Sequence, residues 1–535
     1  VVPTLPQLQV NTAIVTPPGP TVTVGTCGGT TLQDTINTVA ANPLGGTIKI
    51  LHTLDCTGAW TLPARSGPNW VIIETDVPGA LPAPGNRVAL SDAVNMPVLR
   101  NNSGSNPIFQ IGANASFYRI IGIKIQATTT FGTYNNVIIS EPGGTSTATV
   151  PNHIIFDRVI NAGTGNANFA RRGFYTTGNN IAIINSYVYN FYDPGTDAQA
   201  IGVIWGPGPM LFDNNFLEAA GQSILTGGNC LPSVAFLPND LTITRNYMYK
   251  PVTWKSDDPS YDGINRTIKN AFELKLGIRI LAQGNVINQV WAAAQNGFPV
   301  LFTVRNQDNT CSFAEVSDVT FRLNKIKNVG RDFNTFGQDG PFVSQQSKRM
   351  LWQNNLSYLV NPTKWLTSAG QSQLLGGWAV GAAFDHNTYI LSTAATPGLG
   401  GDIVFDSATK KWVNFWSSNN LVVGNSAFGG FTIIANNDGV GTSALANSVV
   451  LPYTVTDNIW WDVPGICGSY PAGNQCLANV AAVGFTNATT CANAGDSGCV
   501  LTGGSPGHNA GTDGTDIGVN WSAVNAATAG VEVGP

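Results

Sequence analysis

Charge is scarce in this chain. Of 535 residues only 11% are Asp, Glu, Lys or Arg, and 31 acidic against 26 basic side chains give a net charge of -5. That balance leaves no broad basic surface, which argues against nucleic acid or an acidic membrane as a partner. Long hydrophobic runs are missing as well. No stretch approaches the roughly 18 apolar residues of a membrane span, and Val1 opens without a basic, then apolar, leader, so the chain reads as processed or trimmed. His52, His153, His386 and His508 are the only histidines; they stand far apart, at or near strand ends or turns, without ligand spacing, and a structural role is expected for each. The eight Cys lack the close paired spacing with His of a zinc site, so disulfides are expected, and with them a location outside the cytosol, extracellular or at the cell surface. Pairing by proximity gives Cys27 with Cys56, Cys230 with Cys311, Cys467 with Cys476 and Cys491 with Cys499.

What is abundant is turn chemistry. Sixty Gly and 31 Pro beside 43% hydrophobic residues describe a folded, strand-rich chain. One phrase recurs: an alternating apolar strand, a turn residue, and an apolar residue two positions on. It appears at Asp157, Asn185, Asn214, Asn246, Asn285, Asn324, Asn354, Asn387, Asn419 and Asn458. The step varies, from 28 residues (157 to 185) to 39 (246 to 285). A fixed phrase with variable inserts is the mark of a solenoid, because an alternating strand buries its apolar face only by stacking on the next copy. Asn at the turn tolerates the left-handed conformation and can bond its stacked neighbours, so the ladder is expected to be structural.

The solenoid is expected over residues 67–465. Before it, residues 1–26 form a Pro-rich arm without a charged side chain, which either lies along its own solenoid or donates a strand to another copy of the chain. Residues 27–66 read as an N-terminal cap, with Leu32, Ile36 and Val39 on one face of a helix behind a Thr cap and a stop at Pro43 and Gly45. Residues 466–535, rich in Cys and Gly, read as a C-terminal cap.

The coil phrases AAFDHNTYIL and DLTITRNYMY, the cap helix and the closing SPGHNAGTDGTDIG together resemble the right-handed parallel β-helix superfamily, the fold of pectate lyases and of several tailspikes and adhesins. Through KNAFELKLGIRILAQGN and FTVRNQ the chain is also similar to secreted bacterial β-helix-repeat proteins of unassigned function. The resemblance implies an all-β fold. It leaves lyase, hydrolase, adhesin and structural roles open, since this superfamily hosts them all.

Candidate chemistry gathers in the middle of the chain. In NAFELK, Glu273 and Lys275 share a strand face about 7 Å apart. Arg305, in VLFTVRNQ, falls one coil later, so a Lys275 base and an Arg305 neutraliser would suit a polysaccharide lyase acting on a uronate glycan. The bland alternative for Glu273 and Lys275 is a surface ion pair. Trp254, Trp291, Gln307, Trp412 and Trp416 are the candidate substrate contacts, and buried stacks would use the indoles equally well. Asp257 and Asp258 are a thin calcium candidate, with no other cofactor implied. GDSG at residues 495–498 reads as a turn, as do Asp513 and Asp516. Three roles follow: a self-associating structural solenoid, which the uncharged surface and the arm favour, a polysaccharide lyase, and a glycan-binding adhesin.

Overall fold

The computed structural model describes the chain except residues 66, 142–143, 145, 368–369, 393–399, 406–409, 424–433, 436–440, 462–466 and 533–535. Two compact units divide it, one of Pro6–Thr267 and one of Val1–Leu5 with Ile268–Glu532.

In the first unit every strand beyond the arm hydrogen-bonds in parallel to a strand one coil away, not to its neighbour in sequence. Asn152–Asp157 pairs with Asn179–Ile184, Ala170–Thr176 with Gln199–Val203, and Tyr187–Phe191 with Phe216–Ala219. Three short strands per coil, each on its own parallel sheet, make the expected right-handed parallel β-helix. The second unit repeats the arrangement, with Phe272–Leu274 on Val300–Thr303, Gly277–Gln283 on Val316–Arg322 and Val286–Val290 on Lys325–Val329. Alternation explains the interior. In each strand one parity points inward, and stacked copies such as Phe321 on Trp352, with centroids 4.2 Å apart, fill the coil.

The corner after each strand of the Gly277–Gln283 sheet carries the asparagine ladder, and it uses two adjacent positions. Asn285, Asn324, Asn355, Asn387, Asn420 and Asn458 are buried, each backbone N–H and side-chain amide donating to the Asn carbonyl oxygen of the next coil at 2.8–3.1 Å. One residue earlier, Leu323, Asn354, His386 and Asn419 hold φ of 51–58°, the left-handed turn. The sequence phrase merges these columns: Asn185, Asn214, Asn354 and Asn419 are turn residues, whereas Asn246, Asn285, Asn324, Asn387 and Asn458 are rungs or occupy the rung position. Gly284 fills the turn position at φ +66°, with the Ala527 carbonyl oxygen 2.6 Å from where a Cβ would stand.

The cap helix spans Thr31–Ala41, burying Leu32, Ile36 and Val39. Thr30 stands at its N-cap but bonds Asp34 instead of a backbone N–H. Cys27–Cys56 and Cys491–Cys499 are disulfides as expected. Cys230, Cys311 and Cys476 are also disulfide-bonded, and the side chain of Cys467 lies outside the described residues.

Both ends of the chain lie along coils. In the first unit Gln7 N–H donates to Asp240, Val10 packs on Ile155, Ala182 and Ile184, Arg119 holds the carbonyls of Thr12 and Ala13, and Thr21–Val24 pairs with Gly46–Ile50. In the second unit Thr4 N–H donates to Asp318. The C-terminal region packs along the coils. Ile517, Phe485 and Cys491 pack with Ile390, Leu421 and Ile459, while Asp496 and Glu532 pair with Lys325 and Lys327, so this segment folds back over the flank of its own coils.

Candidate functional site

The outward parity of the strands Phe272–Leu274, Val300–Thr303 and Phe333–Phe336 forms the floor of a groove in the second unit. Register places Glu273, Leu301 and Asn334 in one outward column, and Thr303 with Phe336 in the next. Leu301, Asn334, Thr303 and Phe336, with Asn270, Asn296, Phe298 and Arg305, enclose a cavity of about 270 Å³. Arg305 is the only charged residue on its walls among those described. Its guanidinium lies 2.8 Å from the buried Asp339 carboxylate and 5.9 Å from the Phe336 ring centroid, and the side chain keeps 35% exposure. Arg331 stacks over the Phe298 ring at 4.8 Å, its pKa held down by burial.

Asn270 gives the groove its chemistry. It is 2% exposed, and neither its amide nitrogen nor its amide oxygen has a hydrogen-bond partner among the described residues. A buried donor and acceptor left open cost roughly 1–3 kcal/mol each, which a hydroxylated or carboxylated ligand would recover. A guanidinium has further N–H donors beyond those turned to Asp339, and these can meet an anion. Asn270 stands two residues before the strand Phe272–Leu274 that carries Glu273, and alternation alone gave no reason to single it out.

Of the residues expected from the sequence, Arg305 reaches the groove. Its backbone N–H donates to the Lys275 carbonyl at 3.2 Å, so the two lie on adjacent coils. Lys275 pairs with Glu273 at 3.7 Å, but Glu273 is 2% exposed at its side chain, so this is a largely buried pair and not a surface one. Gln307 is exposed and is not on the groove's walls. Trp254, Trp291 and Trp412 are corrected: each is at most 5% exposed and offers no platform. Trp254 and Tyr192 both lie against the Arg266 guanidinium, Trp291 stacks on Trp365, and Trp412 is buried just before its strand, outside the parity that aligned it with Trp416. Trp416, 40% exposed, lines a separate apolar cleft of about 490 Å³ with Phe415, Tyr453 and Arg349.

The remaining candidates have local partners. Asp257 pairs with Lys255, and Asp258 accepts from Ser260. Asp496–Gly498 is a 3-10 turn inside the Cys491–Cys499 disulfide loop, and Asp513 accepts from Thr515 as an Asx turn does. His52 bonds Asp76, His508 bonds Asp516, and His153 stacks on Phe117 at 4.4 Å, where burial lowers its pKa. His386 joins the Asp385 carboxylate to Thr515.

No protein-family model and no curated protein matches the chain. Solved structures give fold-level likenesses. An alginate lyase from Paenibacillus sp. str. FPU-7 aligns at TM-score 0.31 and 11% identity over 86% of this chain and 98% of its own. A pectate lyase aligns at TM-score 0.25 and 10% identity over 90% and 88%. The tailspike of Acinetobacter baumannii bacteriophage Fri1, a capsular polysaccharide depolymerase, aligns at TM-score 0.33 and 9% identity over 86% and 61%.

Proposed function

We propose that this chain is an extracellular or cell-surface β-helix that binds an acidic polysaccharide along the groove, with Arg305 contacting a carboxylate or sulfate and Asn270 bridging adjacent oxygens. The Asn270 amide, without a partner among the described residues, on the same walls as the partly exposed Arg305 guanidinium carries this reading. The partly exposed ring of Phe336 adds an apolar face for sugar C–H surfaces. The disulfides suit an oxidising compartment, and among the described residues no helix is long and apolar enough to cross a membrane. The test is calorimetric titration with oligogalacturonate and oligomannuronate hexamers. Arg305→Ala and Asn270→Ala should each weaken binding at least about tenfold, or ~1.4 kcal/mol; wild-type affinity in both variants refutes the proposal.

A uronate lyase is the second reading, favoured by Lys275 lying one coil from Arg305. Against it, the Lys275 ammonium is engaged by Glu273 and Arg305 is shared with Asp339. Release of unsaturated products absorbing in the near ultraviolet, abolished by Lys275→Ala, would establish it. For the self-associating scaffold, the arm's N–H groups at Thr4 and Gln7, Val10 and the Thr21–Val24 strand are engaged by its own coils, while Val2, Leu5, Leu8, Ile14 and Val15 are exposed.

A further inference from the structure

A second cluster of chemistry lies in the first unit, on the sheet holding Tyr187–Phe191, Phe216–Ala219 and Tyr247–Tyr249. Val188, Leu217 and Met248 point inward and are buried. The outward columns are aromatic: Tyr187, Phe216 and Tyr247 stand in register, Tyr187 stacked on Phe216 at 4.1 Å. Arg87 lies against Tyr187 and Tyr247 and closes that column. The next column, Tyr189, Glu218 and Tyr249, is left with both tyrosines partly exposed.

Glu218 is the unusual member. Between Val188 and Phe191 the ladder slips, so Tyr189 and Asn190 together oppose one residue. Asn190, at φ 62°, turns its N–H onto a Glu218 carboxylate oxygen at 3.0 Å. The other oxygen has no hydrogen-bond partner among the described residues, and no ion pair reaches it, although the side chain is 7% exposed. Of the two buried cations that act on Glu218, Lys250 donates instead to the carbonyls of Ala219 and Gly221, and Arg266 to Asp262. Burial pushes the Glu218 carboxyl up to about 7, against the Asn190 N–H and the Arg266 and Lys250 charges. Burial likewise raises Tyr189 and Tyr249, with the Glu218 charge adding to it, so both hydroxyls stay protonated as donors. Serving one backbone N–H does not require a carboxyl; an amide would do it without the desolvation cost.

We infer that the Tyr189, Glu218 and Tyr249 strip is a second saccharide site, separate from the groove, that takes an uncharged polyhydroxylated chain. Pyranose C–H faces lie on the tyrosine rings, whose spacing is set by strands about 4.8 Å apart. Vicinal hydroxyls meet the open Glu218 oxygen, which accepts when ionised and can donate when protonated. The strip offers a carboxyl where the groove offers a guanidinium, so it disfavours uronates. The inference does not rest on the groove.

Saturation-transfer NMR and calorimetry on the full chain, with maltohexaose, cellohexaose, mannohexaose and xylohexaose as probes, test it. At least one probe should bind, with Tyr189→Ala and Tyr249→Ala each losing about tenfold or more. Glu218→Gln, which keeps an acceptor for Asn190 and so preserves the bulge, should weaken binding and flatten its pH dependence between pH 6 and 8. Arg305→Ala should bind the neutral probe as wild type does. No binding by any probe, wild-type binding in the three strip variants, or loss of neutral-sugar binding on Arg305→Ala overturns the inference.

Discussion

Asp339 fixes two neighbouring residues of the groove rim at once: its carboxylate takes the Arg305 guanidinium at 2.8 Å and the Asn306 backbone N–H at 2.9 Å. The carboxylate is 1% exposed, and Arg305 bridges it to the open groove.

Arg305→Ala therefore has two separable effects. It removes the anion contact and leaves a buried carboxylate short of its cation, at about 2 kcal/mol once the exposure of Arg305 is discounted. Adding Asp339→Asn should restore the melting temperature without restoring binding of oligogalacturonate. If the double variant binds as wild type does, Arg305 acts only through Asp339.

The ladder predicts a larger effect from a single amide. Asn355 donates to Phe321 and Asn387 and accepts from Asn324. Asn355→Ala should cost about 3 kcal/mol or more in chemical denaturation, by orphaning buried groups on both sides. Asn354→Gly, at the adjacent left-handed turn, should cost less than about 1 kcal/mol, because Gly tolerates that backbone. Equal costs would contradict the division of labour between the two positions.

How much of this was legible follows from the same corner. Strand alternation and recurrence reveal parallel coils, because both are periodic in the sequence. The doubled Asn at 214–215, 354–355 and 419–420 hides which member turns and which bonds, since one residue type suits both tasks and only φ tells them apart. The tryptophans misled for a similar reason: parity assigns a face only within a strand, and Trp412 lies just outside one. Asn270 and Glu218 were invisible because their significance is an unmet hydrogen bond, a property of surroundings that no local pattern encodes.

The histidine under the C-terminal segment predicts a pH window. Burial pulls His386 down, but the hydrogen bond and charge of Asp385 and the charge of Asp513 outweigh it, so its pKa is raised. Asp385 is shifted the other way: burial raises it, while His386, Asn419 and Gln353 bring it below its usual value. A raised His contributes stability fully below its unfolded pKa of about 6.5, lost as pH rises through the folded value; a lowered Asp contributes above about 3.9, lost as pH falls. The melting-temperature gap between wild type and His386→Gln should be widest near pH 5 and narrow as pH rises above the unfolded value of about 6.5. A gap unchanged from pH 5 to 8 would remove the ion pair from the account.

Deleting residues 1–20 should lower the melting temperature while leaving the number of chain copies per particle unchanged by light scattering. The strap contacts at Asp318, Asp240 and Arg119 are intramolecular, so their loss weakens one chain and dissolves no assembly. A drop in the number of associated copies would restore the arm as an intermolecular strand.

The paired corner positions also govern where this chain can tolerate a change of length. A single residue gained or lost between turn and rung would put an amide where the backbone must bend and a bend where the amide must bond, shifting the downstream strand onto the wrong parity. Added residues are harmless only in the excursions between strands. Both candidate sites inherit their spacing from those invariant corners, so grafted loops could reshape what enters them while leaving the distances between their contact residues intact.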